Sequence, residues 1–362
     1  MRQTLKYFTA SFWFTLICLA LGALLGWRIY GTVFGVLETV FIVALLGVLE
    51  TSLSFDNAVV NATVMRDMTP IWRRRFLTWG MAIAVFGMRF LFPVLVVSLV
   101  ANIGPVETVR LAAVDPAEYA RLLTSAHVSL GAFGGAFLAL VSLKYFFDTE
   151  KTVHWIKILE RQFVRFGKFD AVEIGIVLAA IYVFSRFFPA DESLKFLVAG
   201  VFGVLTFIAV DAVGELMKPA EGNEHDLHRA ALASFLYLNV LDASFSFDGV
   251  IGAFALTNEL FIIALGLGVG AMFVRSLTIL LVDRGTLASY AYLEHGAFYA
   301  VGALALFMML GTIVEVPEAV TGLVGAGLIG LAFWSSVRRL RRVTASEASN
   351  ESLPHDGRVQ AK

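Results

Sequence analysis

Four acidic residues stand where so apolar a chain should exclude them. Glu50 and Asp56 lie in Glu50-Thr-Ser-Leu-Ser-Phe-Asp-Asn57, and Asp242 and Asp248 in Asp242-Ala-Ser-Phe-Ser-Phe-Asp-Gly249. Matched positions of the two stretches are shifted by a constant 192 residues. An acid at the centre of a membrane helix costs about 2.5–3.5 kcal/mol, so four facing lipid would cost on the order of 10 kcal/mol. They must therefore share an interior, where their mutual repulsion calls for a cation or for protons. Ser54, Asn57, Asn61, Asn239 and Ser246 add hydroxyl and amide oxygens, and neither motif contains Cys or His. Such an oxygen set suits a hard divalent cation, with Mn²⁺ favoured and Ca²⁺ or Mg²⁺ as alternatives. Zinc or copper would ask for imidazole or thiolate.

A blander reading pairs the acids with Arg89 and Arg275 as two structural salt bridges inside the bundle, and each arginine could also hold its acid between transport steps. His127 and His295 are supporting candidates, for which a simple hydrogen bond within an apolar face is the competing role. Asp211 and Glu215, four apart, share a helix face, while Glu38 and the run Arg73–Arg75 read as boundary and topology residues.

The elements that must position these groups follow from composition. Hydrophobic residues make up 58% and charged residues 16% of 362 residues, against roughly 45–50% and 25% in soluble domains. The single cysteine, Cys18, excludes an intrachain disulfide. Apolar runs at 8–27, 33–58, 76–100, 126–147, 171–188, 194–215, 230–256, 259–282, 289–313 and 319–336 are near the 20 residues a span needs. The expected fold is an all-α, polytopic membrane bundle of about ten spans, with nine as the alternative count. Lys and Arg concentrate in alternate loops, which places both termini in the cytoplasm of a bacterial-type inner membrane. The organisation is then an N-terminal span (1–32), repeat one (33–147), a cytoplasmic segment with two linker spans (148–228), repeat two (229–315), a last span (316–342) and a disordered tail (343–362).

The motif helices are the second and seventh spans, five positions apart, an odd step, so the two repeats have inverted topology. The likeness extends from Gly87-Met-Arg89 to Ala271-Met-Phe-Val-Arg275, and from His127 with Gly131-Ala-Phe133 to His295-Gly-Ala-Phe298. Inverted three-helix repeats with a site at the midplane are a common transporter plan. On a continuous helix Glu50 and Asp56 would diverge by about 120°. Both motif helices are therefore expected to break, turning two acids each toward one point.

At these residues the chain resembles the TerC superfamily of integral membrane proteins, within the clan of LysE-type exporters. Glu50, Ser54, Asp56 and Asn57 match a Glu-x-x-x-Ser-x-Asp-Asn motif. Asp242, Ser246 and Asp248 match Asp-x-x-x-Ser-x-Asp-Ser, with Gly249 departing from its final Ser. The segment 147–170, with His154, Trp155 and Glu160, is similar to a branch known only as a domain of unknown function. The resemblance implies metal-ion efflux, most often of Mn²⁺, with tellurium resistance as the historical label.

Three functions compete: a secondary transporter exporting a divalent cation, a scaffold of a metal or tellurium stress-response complex docking through 148–170, and an intramembrane aspartyl hydrolase. The first, non-enzymatic reading is favoured, with the ion and the bilayer as partners, no nucleic acid, no tightly bound cofactor, and a homo-oligomer as a further expectation. The segment 148–170 could also lie on lipid as an amphipathic helix.

Overall fold

The computed structural model describes residues 2–66, 68–80, 82–149, 151–167, 171–216 and 224–351, leaving out the side chains of residues 2, 3, 224–229, 247, 248, 288, 318 and 343–351. All regular structure in them is helical. In chain order the helices are α1 (Arg2–Tyr30), α2 (Val33–Leu53), α3 (Phe55–Arg66) and α4 (Pro70–Arg75), then π-helical stretches at Phe76–Gly80 and Ile83–Leu91 running into α5 (Phe92–Ala101). There follow α6 (Pro105–Val114), α7 (Pro116–Ser125), α8 (His127–Phe147), α9 (Lys157–Phe166), α10 (Val172–Ser185) and α11 (Ala190–Leu216). The chain ends with α12 (Glu224–Ala253), α13 (Leu260–Asp283), α14 (Thr286–Ser289), α15 (Leu293–Gly311) and α16 (Glu318–Glu351).

Nine helices among the described residues are long and apolar enough to cross a membrane. The tenth expected span is α10, only 14 residues, or about 21 Å at 1.5 Å per residue against about 30 Å of hydrocarbon. It still reverses the chain, because Phe184 and Phe188 meet Phe196 while Ile181 meets Gly200, which makes α10 and α11 antiparallel. Between the third and fourth spans, Pro105 and Pro116 open α6 and α7, each at a first-turn position where the missing N–H costs nothing. At the other end of the chain, α16 runs on to Glu351, through part of the stretch expected to lack order. Its Ala and Glu residues there are helix formers continuing a helix already nucleated in the bundle.

Contacts fix the relative directions of the repeats. Glu50 lies against Gly249, and Asn61 against Asp242, so α2–α3 and α12 are antiparallel. Phe90 meets Phe261 while Arg275 reaches the Leu77 carbonyl, so the third span and α13 are antiparallel too. Gly131 abuts Met308 and Thr312 while Ser142 bonds the Phe298 carbonyl, which makes α8 and α15 the third such pair. All three equivalent pairs thus run in opposite directions, as an inverted repeat requires.

The main core gathers Ala58, Val59 and Ala62 of α3, Phe137 of α8, Leu238 and Leu241 of α12, and Ala297 and Ala305 of α15. On the other side, Gly47 of α2 and Gly266 and Gly270 of α13 let two backbones approach closely, since added β-carbons would collide with Val269, Leu46 and Glu50. One end of the bundle collects Arg66, Arg73, Glu294, Lys151 and Arg339, which lie in mutual or shared contact around α15. We refer to it as the basic end. The opposite end carries Arg121 paired with Glu118, beside Glu315.

Candidate functional site

The first motif breaks its helix and the second does not. Ser54 leaves helical geometry (φ −94°, ψ 24°), and its hydroxyl bonds the Glu50 carboxylate at 3.1 Å. A serine bonding side chain instead of holding regular backbone is a recognised helix perturber. α12 by contrast passes through Asp242–Gly249 without interruption. Its acid is held from outside, by Asn61 Nδ2 at 2.9 Å, and Ser246 Oγ takes no partner among the described residues. The expected second break is therefore absent, because nothing on α12 draws the Ser246 hydroxyl to its own acid.

Glu50 is 4% exposed and ion-paired with Arg89, itself 4% exposed. No side chain crowds it: a β-carbon at Gly249 would stand 2.9 Å from Oε2, and one at Gly270 would overlap its methylenes. Arg89 also donates Nη1 to the Ala84 carbonyl at 2.6 Å, and Arg275 donates Nε to the Leu77 carbonyl at 2.8 Å. Both acceptors lie in π-helical turns, which are frequent at functional sites. The expectation that each arginine pairs with its own repeat's acid holds for Arg89. Arg275 instead turns to the Leu77 carbonyl and only lines the pocket beside Asp242.

Two small cavities flank Asn57. One, of about 40 Å³, is lined by Glu50, Ser54, Asp56, Asn57, Gly249 and Thr321. The other, of about 20 Å³, is lined by Asn57, Asn61, Arg89, Asp242 and Arg275. About 10–15 Å³ admits one water, so these volumes hold one to a few ligand-sized spheres. Glu50 is the electrostatic neighbour of both Asp56 and Asp242. Asp56, 7% exposed, accepts the Asn57 N–H at 2.9 Å.

Glu50, Asp56 and Asp242 do not gather into one carboxylate cage. Among the described residues, no three His, Cys, Asp or Glu side chains stand close enough to hold one ion together, and the side chain of Asp248 lies outside the described residues. What surrounds the carboxylates instead is a set of orphaned oxygens. Among the described residues, Asn57 Oδ1, Asn61 Oδ1 and Ser246 Oγ find no hydrogen-bond partner, on residues 5–6% exposed. Buried acceptors left unpaired are costly and demand an explanation.

The remaining expected residues lie elsewhere. Asn239 bonds the Phe235 carbonyl through Nδ2 at 2.7 Å and lines neither cavity. His127 lines a cavity of about 1090 Å³ at the end opposite the basic end, together with Arg121, Asn258 and Glu315. That cavity reaches Leu49 and Thr321, the latter shared with the Glu50 pocket. His295 sits at the basic end, its Nε2–H donating to the Val153 carbonyl at 2.8 Å and its Nδ1 facing the Tyr145 hydroxyl at 3.2 Å. Both histidines open the corresponding helix of their repeat, and inversion sends them to opposite ends of the molecule.

Sequence reasoning missed the part played by α16, which lies outside both repeats yet walls the Glu50 pocket through Thr321 and Gly325. The glycine run from Gly322 to Gly330 was the signal available, because a β-carbon at 322 would strike Leu53. Sequence reasoning named Glu160 without giving it a role: buried (1% exposed), it accepts the backbone N–H groups of Trp155 and Ile156 and the Tyr299 hydroxyl, tying the segment after α8 to α15.

Neither the curated proteins nor the solved structures contain a match to this chain. A family model does match, over residues 55–343, a stretch that includes the smaller cavity beside Asn57, the larger one there except for Glu50, Leu53 and Ser54, and all three pairs of antiparallel helices except α2. The chain belongs to the family described as "Protein of unknown function (DUF475)".

Proposed function

We propose that the protein is a secondary transporter that exports a divalent cation such as Mn²⁺. The observation that carries this reading is the set of unpaired buried oxygens of Asn57, Asn61 and Ser246 beside Glu50, Asp56 and Asp242. Hydroxyl, amide and carboxylate oxygens are the donors hard divalent ions prefer.

In this reading Arg89 acts as a tethered counter-ion. Its guanidinium neutralises Glu50 while the site is empty, and an arriving cation competes with it for the same carboxylate. Protonation of one carboxylate then releases the ion, because a neutral acid no longer offsets the cost of stripping its hydration. The large cavity leads from the end opposite the basic end toward Leu49 and Thr321. At the basic end, Glu160 clamps the segment after α8 onto Tyr299. With the basic end in the cytoplasm, an exporter would pass through such an outward-facing form when it releases its ion.

The test is Mn²⁺ flux in proteoliposomes carrying wild type or Asp56→Asn protein. Loss of flux in the variant is expected, and equal flux in both preparations sinks the role of Asp56. Parallel Mg²⁺ and Ca²⁺ assays identify the ion.

A further inference from the structure

The short helix α9 presents three different faces. Its inner face is fixed by Glu160, held by two backbone N–H groups and Tyr299, and by Phe163, whose ring lies 5.4 Å from that of Phe147. At 100° per residue, Lys157, Arg161 and Arg165 form one stripe along a flank. All three are exposed, and no hydrogen bond or ion pair engages them among the described residues. Leu159 and Phe166, seven apart, line the other flank at 42% and 51% exposed, and Ile158, between the flanks, is 87% exposed.

Position decides what this surface meets. α9 packs on the last turn of α8 and on Tyr299 of α15, both membrane-spanning helices, at the basic end of the bundle. A helix so placed lies at the level of the lipid headgroups, where exposed apolar side chains find acyl chains and cations find phosphates. Water on that face would leave Ile158, Leu159 and Phe166 uncovered without return.

We propose that α9 is a binding site for anionic phospholipid. The headgroup phosphate rests on Lys157, Arg161 and Arg165, and an acyl chain lies along Ile158, Leu159 and Phe166. The site does not depend on the transport reading. Through Glu160 and Tyr299, however, its occupancy bears on α15, whose Ala300 and Leu304 line the Glu50 pocket.

The experiment measures phosphatidylglycerol binding to the full chain in detergent, by native mass spectrometry, against phosphatidylcholine. The variant Lys157→Gln/Arg161→Gln/Arg165→Gln is expected to bind phosphatidylglycerol more weakly by about fivefold per residue, about 100-fold in all. Its thermal unfolding should match wild type, since no hydrogen bond or ion pair engages these side chains among the described residues. The control Arg74→Gln/Arg75→Gln, at the same end but away from α9, should retain the wild-type affinity. Equal affinity for the two lipids overturns the proposal. So does an undiminished affinity in the triple variant, or an equal loss in the control, which would mean diffuse charge attraction. A second variant, Ile158→Asp, repels lipid without removing a cation, and unchanged binding in it also counts against the site.

Discussion

Glu50 and Gly249 face each other across the antiparallel contact of α2 and α12, so closely that a β-carbon at 249 would lie 2.9 Å from Glu50 Oε2. The repeat makes Asp242 the equivalent of Glu50 and Asn57 that of Gly249, and Asn57 and Asp242 likewise line one cavity together. The Gly249 position, where the motif's final Ser is missing, is therefore room for a carboxylate. Gly249→Ala or Gly249→Ser should push Glu50 away from Arg89 and lower stability by about 1–3 kcal/mol. Gly325→Ala is the matched control, since its β-carbon would meet only Ala300 at 3.8 Å. Thermal unfolding in detergent reads both, and equal melting temperatures would falsify the account of Gly249.

The Glu50–Arg89 pair is buried on both sides, so removing one partner leaves an uncompensated charge. Arg89→Met alone should cost about 3–5 kcal/mol. The double variant Glu50→Gln/Arg89→Met should cost clearly less than the two singles summed. Additivity within about 0.5 kcal/mol across the cycle would show that the two side chains act independently.

Asn61 and Asn239 each carry an unpaired oxygen, but only Asn61 holds an acid. Asn61→Leu strips Asp242 of its donor and should destabilise by about 1–3 kcal/mol, with loss of Mn²⁺ flux. Asn239→Leu should leave the flux close to wild type. A reversed order of the two effects in the proteoliposome assay would move the site toward Asn239.

Lys151 lies outside the spans, and burial lowers its ammonium from 10.5 to about 8, against the opposing pull of Glu160, Glu294 and Asp148. With the folded value below the unfolded one, the unfolded chain binds more protons between about pH 8 and 10.5. Stability should therefore rise with pH across that window and be flat in this group below it. Lys151→Met should abolish the slope, whatever it does to the absolute melting temperature. A pH series of thermal unfolding on both proteins checks this, and an identical slope in the variant rules out Lys151 as its source.

Much of this molecule was written in local pattern. Hydrophobic runs located the spans, the 192-residue offset located Glu50 and Asp242, and the odd step from the second span to the seventh gave the inversion that three antiparallel pairs display. What escaped was tertiary. Whether Ser54 or Ser246 breaks its helix depends on which hydrogen bond reaches the acid first, and Asn61 comes from another helix to settle it. Arg275 turns to Leu77 because of a π-helical turn that no periodicity announces. The two histidines share a sequence context, yet inversion separates them by the whole height of the bundle.

The shortness of α10 bears on the membrane more than on the protein. Its 14 residues fall about 9 Å short of the hydrocarbon thickness, and the chain turns back at Arg186 and Phe187, with Phe187 67% exposed. Lipid beside this helix must dip to meet the turn, at a cost of fractions of a kcal/mol for each ångström of mismatch. The protein thus imprints a dimple on one leaflet. Short-chain lipids, or a neighbouring protein with a matching short helix, would relieve that deformation and collect there.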